Sequence, residues 1–371
     1  MHSKICIITT AHPAFDTRIF VRGARSLARA GYCVHLVAQH DAPETLDGVS
    51  VLALRKARTR AMRFAFLGWR AFFVALRTQA DVYHFHDPEF MVFGLLLHWI
   101  RRKPVIYDAH EDLPAQILSK EWIPRPLRRS AARLARAGLT FALKRMCAVV
   151  AATEGVADSL GLPVCPVVVR NFPVLDVIPS SANRGDDGMI RVAYLGRVSE
   201  ERGLLEMLEA MQILSDEPIK LVLQGTATPS AKRLLQAASE LERVMYVPWA
   251  PPQDACQMLA SADIGLVCLR PVPRFQEALP VKLFEYMAAG IAVIASDFPL
   301  WREIVGGARC GLLVDPLDPW SIAEAMRYLL DHPEERATMG KNGRVAVERE
   351  YNWEAESAKL LDLYACVLGD Q

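Results

Sequence analysis

The stretch EALPVKLFEYMAAGIAVIASD, residues 277–297, contains a helix signal followed at once by a buried strand. Pro280 suits the first turn of a helix, so the pattern places Glu277 on the approach loop and Glu285 inside the helix. The apolar run IAVIASD that follows has the composition of a buried strand. A helix that leads directly into such a strand is typical of a parallel α/β sheet.

The same alternation extends outward from this stretch along the whole chain. Short apolar runs alternate with helical patterns before residue 171 and again after residue 188, and each set predicts a sheet of right-handed βαβ units. The predicted strands are KICIITTA (4–11), CVHLVA (33–38), SVLAL (50–54), DVYHFH (81–86), PVIYDAH (104–110), AVVAAT (148–153), IRVAYLG (190–196), IKLVLQG (219–225), RVMYVPW (243–249), DIGLVCL (263–269) and IAVIASD (291–297). Two doubly wound domains also suit a chain of 371 residues.

The segment NFPVLDVIPSSANRGDDG (171–188) lacks periodicity and is rich in turn-forming residues, which is typical of an interdomain linker. We expect a first domain over residues 1–175, a second over 176–352 and a last helical segment over 353–371. Ligands of open parallel sheets bind beyond the carboxyl ends of the strands, so two facing sheets would create a shared cleft.

The two halves of the chain differ strongly in charge, although the net charge is only +1. Residues 1–175 contain 24 basic and 13 acidic residues, a net of +11. The remainder contains 19 basic and 29 acidic residues, a net of −10. The first half therefore favours an anionic partner surface.

The cysteines and the apolar runs predict a cytoplasmic protein. The eight cysteines stand singly, without a Cys-x-x-Cys pair, and we interpret them as buried, reduced thiols. The N-terminal run KICIITTA is short and lacks a small-residue cleavage site, so it predicts a strand and not a signal peptide. The longest apolar run, FMVFGLLLHWI (90–100), falls short of the roughly 20 residues that span a bilayer.

The stretch that begins at Glu277 resembles the Glu-x7-Glu signature of the retaining glycosyltransferases of family 4, with Glu277 and Glu285 as its two carboxylates. The resemblance implies that Glu277 meets hydroxyls of the donor sugar and Glu285 the ribose of the nucleoside. Carboxylates suit both roles because they accept strong, directional hydrogen bonds from paired hydroxyls. The resemblance also implies that Leu279, Val281 and Lys282 bind the nucleotide sugar. A solvated amphipathic helix is the structural alternative.

A second motif, YLGRVSEERGL (194–204), is similar to the Gly-Arg-x4-Lys-Gly pattern of the same family. Gly196, Arg197 and Gly203 match, and Arg202 occupies the position of the usual lysine. The resemblance implies that both arginines bind the donor diphosphate and stabilise it as it leaves. A guanidinium is a planar fork and an ammonium a point donor, so the geometry differs from the family pattern. The chain contains no Asp-x-Asp pair, so no metal clamp is signalled.

Histidines follow two predicted strands of the first half. His84 and His86 share a strand face because side chains alternate along a strand. The resemblance implies that His110 is a catalytic or acceptor-positioning residue beside the reacting sugar carbon. The acidic residues expected nearby are Asp87, Asp108 and Glu111. The first loop carries His12, Asp16 and Arg18 where the family often has a Gly-Gly pair.

The resemblance implies the GT-B fold, with two Rossmann-like, doubly wound parallel-sheet domains facing a central cleft. The first would bind the acceptor and the second a nucleoside-diphosphate sugar, with the last helical segment packed back on the first. Transfer would retain the anomeric configuration and need neither metal nor other cofactor. The loops QGTATP (224–229) and VPWAPP (247–252) would set base and sugar selectivity. The alternatives are a metal-dependent hydrolase using His84, His86, His110 and Asp108, a sugar-nucleotide epimerase, and a catalytically silent nucleotide-sugar-binding partner.

Two basic segments of the first half carry interleaved aromatic residues, which favours peripheral attachment to an anionic membrane. We therefore expect a lipid-linked or other glycan acceptor and a location at the inner face of the cytoplasmic membrane. Core aromatics beside solvated arginines are the alternative, and no nucleic-acid-binding module is recognisable. The segments are residues 55–77, with seven basic residues and Phe64, Phe66, Trp69, Phe72 and Phe73, and residues 120–145, with Trp122 and the run RPLRRSAARLAR.

Overall fold

The computed structural model describes residues 3–56, 59, 66–119, 123–161, 165–178, 188–238, 242–249 and 252–369. The chain forms two compact units, the first from residues 1–171 with 354–371 and the second from residues 172–353. Phe172 and Ile178 are buried in the core of the second unit, which begins at residue 172. Residues 179–187 of the predicted linker lie outside the described residues.

The first unit is built on an eight-stranded sheet. Its strands are β1 (Lys4–Pro13), β2 (Cys33–Gln39), β3 (Glu44–Leu46), β4 (Val49–Leu54), β5 (Val82–Phe85), β6 (Val105–Ala109), β7 (Ala148–Ala151) and β8 (Val167–Val168). Their order is β3-β4-β2-β1-β5-β6-β7-β8, and every neighbouring pair is parallel except β3 with β4. Its helices are a π-helical segment (Thr17–Ala24), α1 (Arg25–Arg29), α2 (Gly68–Thr78), α3 (Met91–Arg101), α4 (Leu113–Ser119), α5 (Arg125–Leu143) and α6 (Glu154–Ser159).

The second unit is built on a six-stranded, wholly parallel sheet. Its strands are β9 (Ile190–Leu195), β10 (Ile219–Gln224), β11 (Val244–Val247), β12 (Ile264–Val267), β13 (Ala292–Ser296) and β14 (Gly311–Val314). Its helices are α7 (Leu204–Ile213), α8 (Pro229–Ala237), α9 (Pro252–Ala260), α10 (Pro273–Gln276), α11 (Val281–Ala289), α12 (Pro299–Ala308), α13 (Pro319–Asp331), α14 (Pro333–Arg349) and the start of α15 (Trp353–Leu368). The order β11-β10-β9-β12-β13-β14 is that of a Rossmann sheet, in which ligands bind where the order reverses.

The strands of this sheet are apolar because helices cover both of its faces. Along β9, Val192 and Tyr194 belong to one hydrophobic core and Ala193 and Leu195 to the other. A parallel strand buried on both faces reads as a continuous apolar run, which is the pattern that the sequence carries. The predicted fold of two Rossmann-like domains is confirmed.

Most of the sequence expectations for local structure hold, and two need correction. Each predicted strand is present, but β3, β8 and β14 were not predicted. The prediction of eight buried cysteines is wrong, because Cys33, Cys147, Cys165 and Cys366 are exposed; all eight thiols are free. Within the described residues, no helix combines the length and the apolar character that a membrane span requires.

Helix α15 returns the chain to the first unit. Tyr364 is fully buried, and its hydroxyl lies 2.7 Å from Nδ1 of His84 on β5. The backbone N–H of Arg170 donates to Glu356 near the start of the helix (2.9 Å), and the Arg170 guanidinium contacts both Glu356 and Glu154. The first unit is therefore discontinuous in sequence and is completed by the last helix.

Candidate functional site

A pocket of about 400 Å³ lies at the carboxyl ends of β9, β10 and β11 in the second unit. It is lined by residues 196–197, 225–229 and Trp249. The chain turns sharply here: a β-carbon at Gly225, where φ is 146°, would lie 1.9 Å from the Gly196 carbonyl oxygen. Glycine is therefore required where the two loops touch. The pocket joins the loops that the sequence associates with base and sugar selectivity.

The two arginines of the 194–204 motif have different surroundings. Arg197 is exposed on the pocket wall, and its carbonyl accepts a hydrogen bond from the Tyr194 hydroxyl (2.8 Å). Arg202 is half-buried, with its guanidinium carbon 5.6 Å from the centre of the Phe275 ring. A β-carbon at Gly203, where φ is 77°, would lie 2.0 Å from the Cys268 carbonyl oxygen. The motif therefore packs directly on the segment that leads to Glu277.

The stretch after α10 has the local structure that the sequence predicts. Helix α11 begins after Pro280, with Glu277 exposed on the loop and Glu285 half-buried within the helix. The Trp301 indole donates to the carbonyl of Ala278 (2.8 Å) and holds the loop in place. The first N–H groups of a helix have no intrahelical acceptor and form its positive end. Half-buried Leu279 and Val281 lie on either side of the helix start.

Lys282 is the residue at which the two motifs meet. Its side chain is buried, and Nζ lies 3.6 Å from the centre of the Tyr194 ring. A β-carbon at Gly196 would lie only 3.7 Å from Nζ, so the amine end of the side chain lies beneath the loop that follows β9. Burial and the nearby Arg202 hold the pKa of Lys282 well below its usual value, while Glu285 acts in the opposite direction. The structure thus brings Gly196, Arg202, Lys282 and Glu285 together.

In the first unit, a buried ion pair lies at the carboxyl end of β6. Arg18 donates from Nε (3.0 Å) and Nη2 (2.8 Å) to the two carboxylate oxygens of Asp108. Its Nη1 donates to the carbonyl of Val169 (2.9 Å) and to Oδ1 of Asn171 (2.7 Å). The pKa of the Asp108 carboxyl is held well below its usual range against the opposing effect of burial, chiefly by Arg18. Each guanidinium nitrogen therefore has a partner.

The histidines at the carboxyl ends of β5 and β6 gather around this ion pair. His84 and His86 stack with ring centres 4.8 Å apart, so they share a strand face as predicted. Nδ1 of His86 lies 3.0 Å from Nε2 of His110 and 3.3 Å from Asp108. Burial lowers the pKa of His84 and of His110 to about 3 each, so both imidazoles are neutral near pH 7. The Tyr364 hydroxyl is hydrogen-bonded to Nδ1 of His84, so this histidine has a structural role in holding the last helix.

A second polar cluster follows β1, beside the histidines. One carboxylate oxygen of Asp87 accepts hydrogen bonds from the Thr9 hydroxyl (2.8 Å) and the Thr10 backbone N–H (2.6 Å). His12 lies between Asp16 (3.3 Å) and Asp87 (3.6 Å). The hydrogen bond to Asp16 raises the pKa of His12. This loop is therefore held by side chains where the family often has two glycines.

The geometry argues against a metal site at the histidines. In the described chain, the ligand atoms of His84, His86 and Asp108 lie within 4.8 Å of one another, which is the spacing that the hydrolase alternative requires. Both oxygens of Asp108, however, are bonded to the Arg18 guanidinium. A metal cation at this carboxylate would lie beside a fixed positive charge. The donor set therefore fits an ion-paired hydrogen-bond network better than a catalytic metal.

Sequence reasoning missed several partners of the site residues. Arg18 is the counter-ion of Asp108, which lies 90 residues away in the sequence. Tyr364 is the hydrogen-bond partner of His84, which lies 280 residues away. The stacking of Lys282 on Tyr194 was equally unforeseen. The lysine in the first turn of an apolar helix was the available signal, since a buried face rarely carries a charged side chain.

Comparisons with known proteins identify relatives in sequence and neighbours in fold. D-inositol 3-phosphate glycosyltransferase of Corynebacterium glutamicum is 30% identical over 183 residues, 47% of this chain and 42% of that protein, so the chain spans about half the length of the curated relatives it matches. A sucrose-phosphate synthase from Thermosynechococcus elongatus superposes with a TM-score of 0.78 at 19% identity over both whole chains. Anabaena HepE in complex with UDP-glucose gives 0.69 at 15% identity, over 98% of this chain and 100% of that one.

Two family models account for most of the chain, one for each unit. The model described as Glycosyltransferase Family 4 matches residues 18–171, and the model described as Glycosyl transferases group 1 matches residues 181–346. The second match includes both motifs quoted above, from Gly196 to Gly203 and from Glu277 to Glu285. The chain therefore belongs to glycosyltransferase family 4, as a group 1 glycosyl transferase of the GT-B fold.

Proposed function

We propose that the chain is a retaining, metal-independent glycosyltransferase that moves a sugar from a nucleoside-diphosphate sugar to a lipid-linked glycan acceptor. The observation that carries the proposal is the convergence of Arg197, Arg202 and Lys282 around the Gly196 loop, at the reversal of strand order in the second sheet. A diphosphate leaving group needs positive charge as the bond from the sugar carbon to the phosphate oxygen breaks. The guanidinium groups of Arg197 and Arg202 supply that charge here.

Each predicted site residue has a role in this reaction. Arg197 and Arg202 stabilise the departing diphosphate, Glu277 orients the sugar, and Glu285 binds the ribose. His110 is neutral near pH 7 and therefore acts as a hydrogen-bonding group toward the acceptor. In the front-face route, the acceptor oxygen forms the new bond to the sugar carbon while the leaving diphosphate takes the acceptor proton.

The first test is a thermal-unfolding panel with UDP, GDP, ADP, CMP and dTDP and with their common sugar derivatives, run in EDTA and again with Mg²⁺. One nucleoside diphosphate should stabilise the protein in EDTA, by about 2.7 kcal/mol at 100 times its dissociation constant. HepE, solved with UDP-glucose, makes UDP the first compound to try.

The other outcomes of this panel distinguish the alternatives. Stabilisation by a nucleotide only when Mg²⁺ is present would contradict metal independence. A large response to metal with none to nucleotides would favour the hydrolase. A transfer assay with membrane lipid extract distinguishes the remaining alternatives. A protein that binds the sugar nucleotide but releases no sugar when the extract is added would be the silent partner. Conversion of the sugar nucleotide without any acceptor would favour the epimerase.

The proposal that the protein attaches to the cytoplasmic side of an anionic membrane is supported by three neighbouring helices of the first unit. Helix α2 packs on α3, and α3 on α5, and these three helices contain no acidic residue. Phe72 is buried, but other aromatic and aliphatic side chains of the predicted segments are exposed. We call these exposed residues and their basic neighbours the basic apolar face: Phe66, Trp69, Arg70, Phe73, Trp99, Arg129, Arg133 and Leu134. Phe64 and Trp122 lie outside the described residues.

We expect the protein to cosediment with vesicles of phosphatidylglycerol and phosphatidylcholine, and not with phosphatidylcholine alone. Each basic residue near an anionic surface contributes about 1 kcal/mol, so the pair Arg129→Glu and Arg133→Glu should weaken binding at least about tenfold. The pair Trp69→Ser and Phe73→Ser should weaken it through loss of apolar contact.

The second unit offers matched controls for this experiment. Trp320 and Arg233 are exposed there, and Trp320→Ser and Arg233→Glu should leave vesicle binding unchanged. Equal binding to neutral vesicles, or wild-type binding by both paired variants, would contradict the membrane proposal.

A further inference from the structure

Lys282 is a buried amine for which the structure provides no hydrogen-bond partner among the described residues. A lysine is seldom fully buried, because removing its charge from water is costly. The side chain is not simply folded away from the site. Its Nζ lies against the face of Tyr194 (3.6 Å from the ring centre) and beneath Gly196, which lines the pocket. A buried, unpartnered donor next to a pocket indicates a group that is completed by a ligand.

The groups that face Lys282 come from four elements, and together they disfavour its charge. Arg202, which precedes α7, adds a like charge, and Glu285 on α11 itself adds an opposite one. Tyr194 on β9 and Cys268 after β12 are neutral near pH 8, because burial raises the pKa of the tyrosine to about 12 and that of the thiol further. Burial and Arg202 together outweigh the attraction of Glu285, so the pKa of the amine lies well below its usual value.

We propose that Lys282 is a neutral amine in the nucleotide-free protein and takes up one proton from solvent when a nucleoside diphosphate binds beside Gly196. This inference rests on the proposed function and adds a property to the same site. The proton forms a new N–H bond at Nζ, and the resulting ammonium becomes a third cation for the diphosphate, with Arg197 and Arg202. A diphosphate would bring further negative charge and hydrogen-bond-accepting oxygens to Nζ.

Proton uptake fixes the sign of the pH dependence. A ligand that binds together with a proton binds less tightly as the pH rises, throughout the range in which the free amine is neutral and the bound amine is charged. The terminal phosphate of a nucleoside diphosphate titrates near pH 6, so above about pH 7.5 it carries no proton of its own to release. A change in nucleotide affinity between pH 7.5 and 9 therefore reflects protonation of the protein and not of the nucleotide.

The test is isothermal titration calorimetry of UDP, GDP and ADP at pH 8, in two buffers that differ in ionisation enthalpy. Wild-type protein should take up about one proton for each nucleotide bound. Lys282→Met should bind about tenfold to a hundredfold more weakly, without uptake, because a charge-assisted hydrogen bond is lost. Lys282→Arg, which is always protonated, should bind without uptake and with an affinity independent of pH. Lys341→Met, at an exposed lysine of α14, should behave as the wild type.

Thermal unfolding without nucleotide separates this role from a structural one. Methionine has nearly the shape of lysine and no unpartnered donor, so Lys282→Met should unfold at the same or a higher temperature than the wild type. Nucleotide binding without proton uptake, or uptake that persists in Lys282→Met, would overturn the inference while leaving the proposed function intact. Failure of all three nucleotides to bind the wild-type protein would overturn both.

Discussion

Replacement of Glu277 by alanine is expected to slow sugar transfer roughly 100-fold to 1000-fold, the usual effect of removing one polar group that stabilises a transition state. The carboxylate lies on an exposed loop that Trp301 holds in place through Ala278. Its loss should leave the second unit folded, since exposed substitutions change stability little. The measurement is release of nucleoside diphosphate from the donor sugar that the unfolding panel identifies, with membrane lipid extract as acceptor.

Two further variants make the result for Glu277 specific. Glu277→Gln keeps the shape of the side chain but loses its charge, and we expect it to remain strongly impaired. Glu303 is an exposed glutamate on α12 of the same unit, and Glu303→Ala should transfer sugar at the wild-type rate. Transfer by Glu277→Ala at a rate close to that of Glu303→Ala would refute the assignment of Glu277 to the donor sugar.

Arg18→Met is expected to be among the most destabilising single substitutions in the first unit. It leaves the buried Asp108 carboxylate without the guanidinium that bonds both of its oxygens, and it also removes the bonds to Val169 and Asn171. Breaking one side of a buried ion pair costs about 3–5 kcal/mol. Differential scanning calorimetry should therefore show the transition of the first unit lowered by roughly 6 to 20 °C.

The second unit contains a matched exposed pair for comparison. Arg302 also bonds both oxygens of its partner, Asp297 (2.8 and 2.7 Å), but on the surface, so Arg302→Met should leave the transition unchanged. The double variant Arg18→Met with Asp108→Leu should recover much of the lost stability, because no buried charge then lacks a partner. If Arg18→Met unfolded like Arg302→Met, the ion pair would not be a stabilising contact.

The low pKa of Asp108 gives this prediction a pH dependence. A carboxyl whose pKa is depressed in the folded protein stabilises the fold above its unfolded pKa and loses that effect as the pH falls. Wild-type stability should therefore fall steeply below about pH 4, where an unperturbed aspartate becomes protonated. The double variant should lose less stability over the same range.

The strands were predictable because a parallel strand buried on both faces leaves a continuous apolar run in the sequence. Two of the three strands that were missed lack that run or are very short. Glu44–Leu46 is an exposed, antiparallel edge strand, and Val167–Val168 has two residues. Register, and the point at which Phe172 joins the second core, depend on packing between distant segments and leave no local pattern.

The candidate site was predictable only as far as its residues are neighbours in sequence. The two motifs located Arg197, Arg202, Glu277 and Glu285 on loops and on a helix start. The motif from Glu277 to Glu285 also carries a buried lysine that stacks on Tyr194, and this contact depends on β9 and α11 lying side by side although they are nearly 90 residues apart in the chain. The carboxyl ends of parallel strands collect such residues without any signal in the local sequence.

The last helix has a consequence for how the protein is made. Domains of most chains fold in the order in which the ribosome releases them. Here the first unit lacks the helix that carries Tyr364 and Glu356 until the residues after 353 emerge, whereas the second unit is continuous and complete by residue 353. The part of the chain that is synthesised first is therefore the last to finish folding.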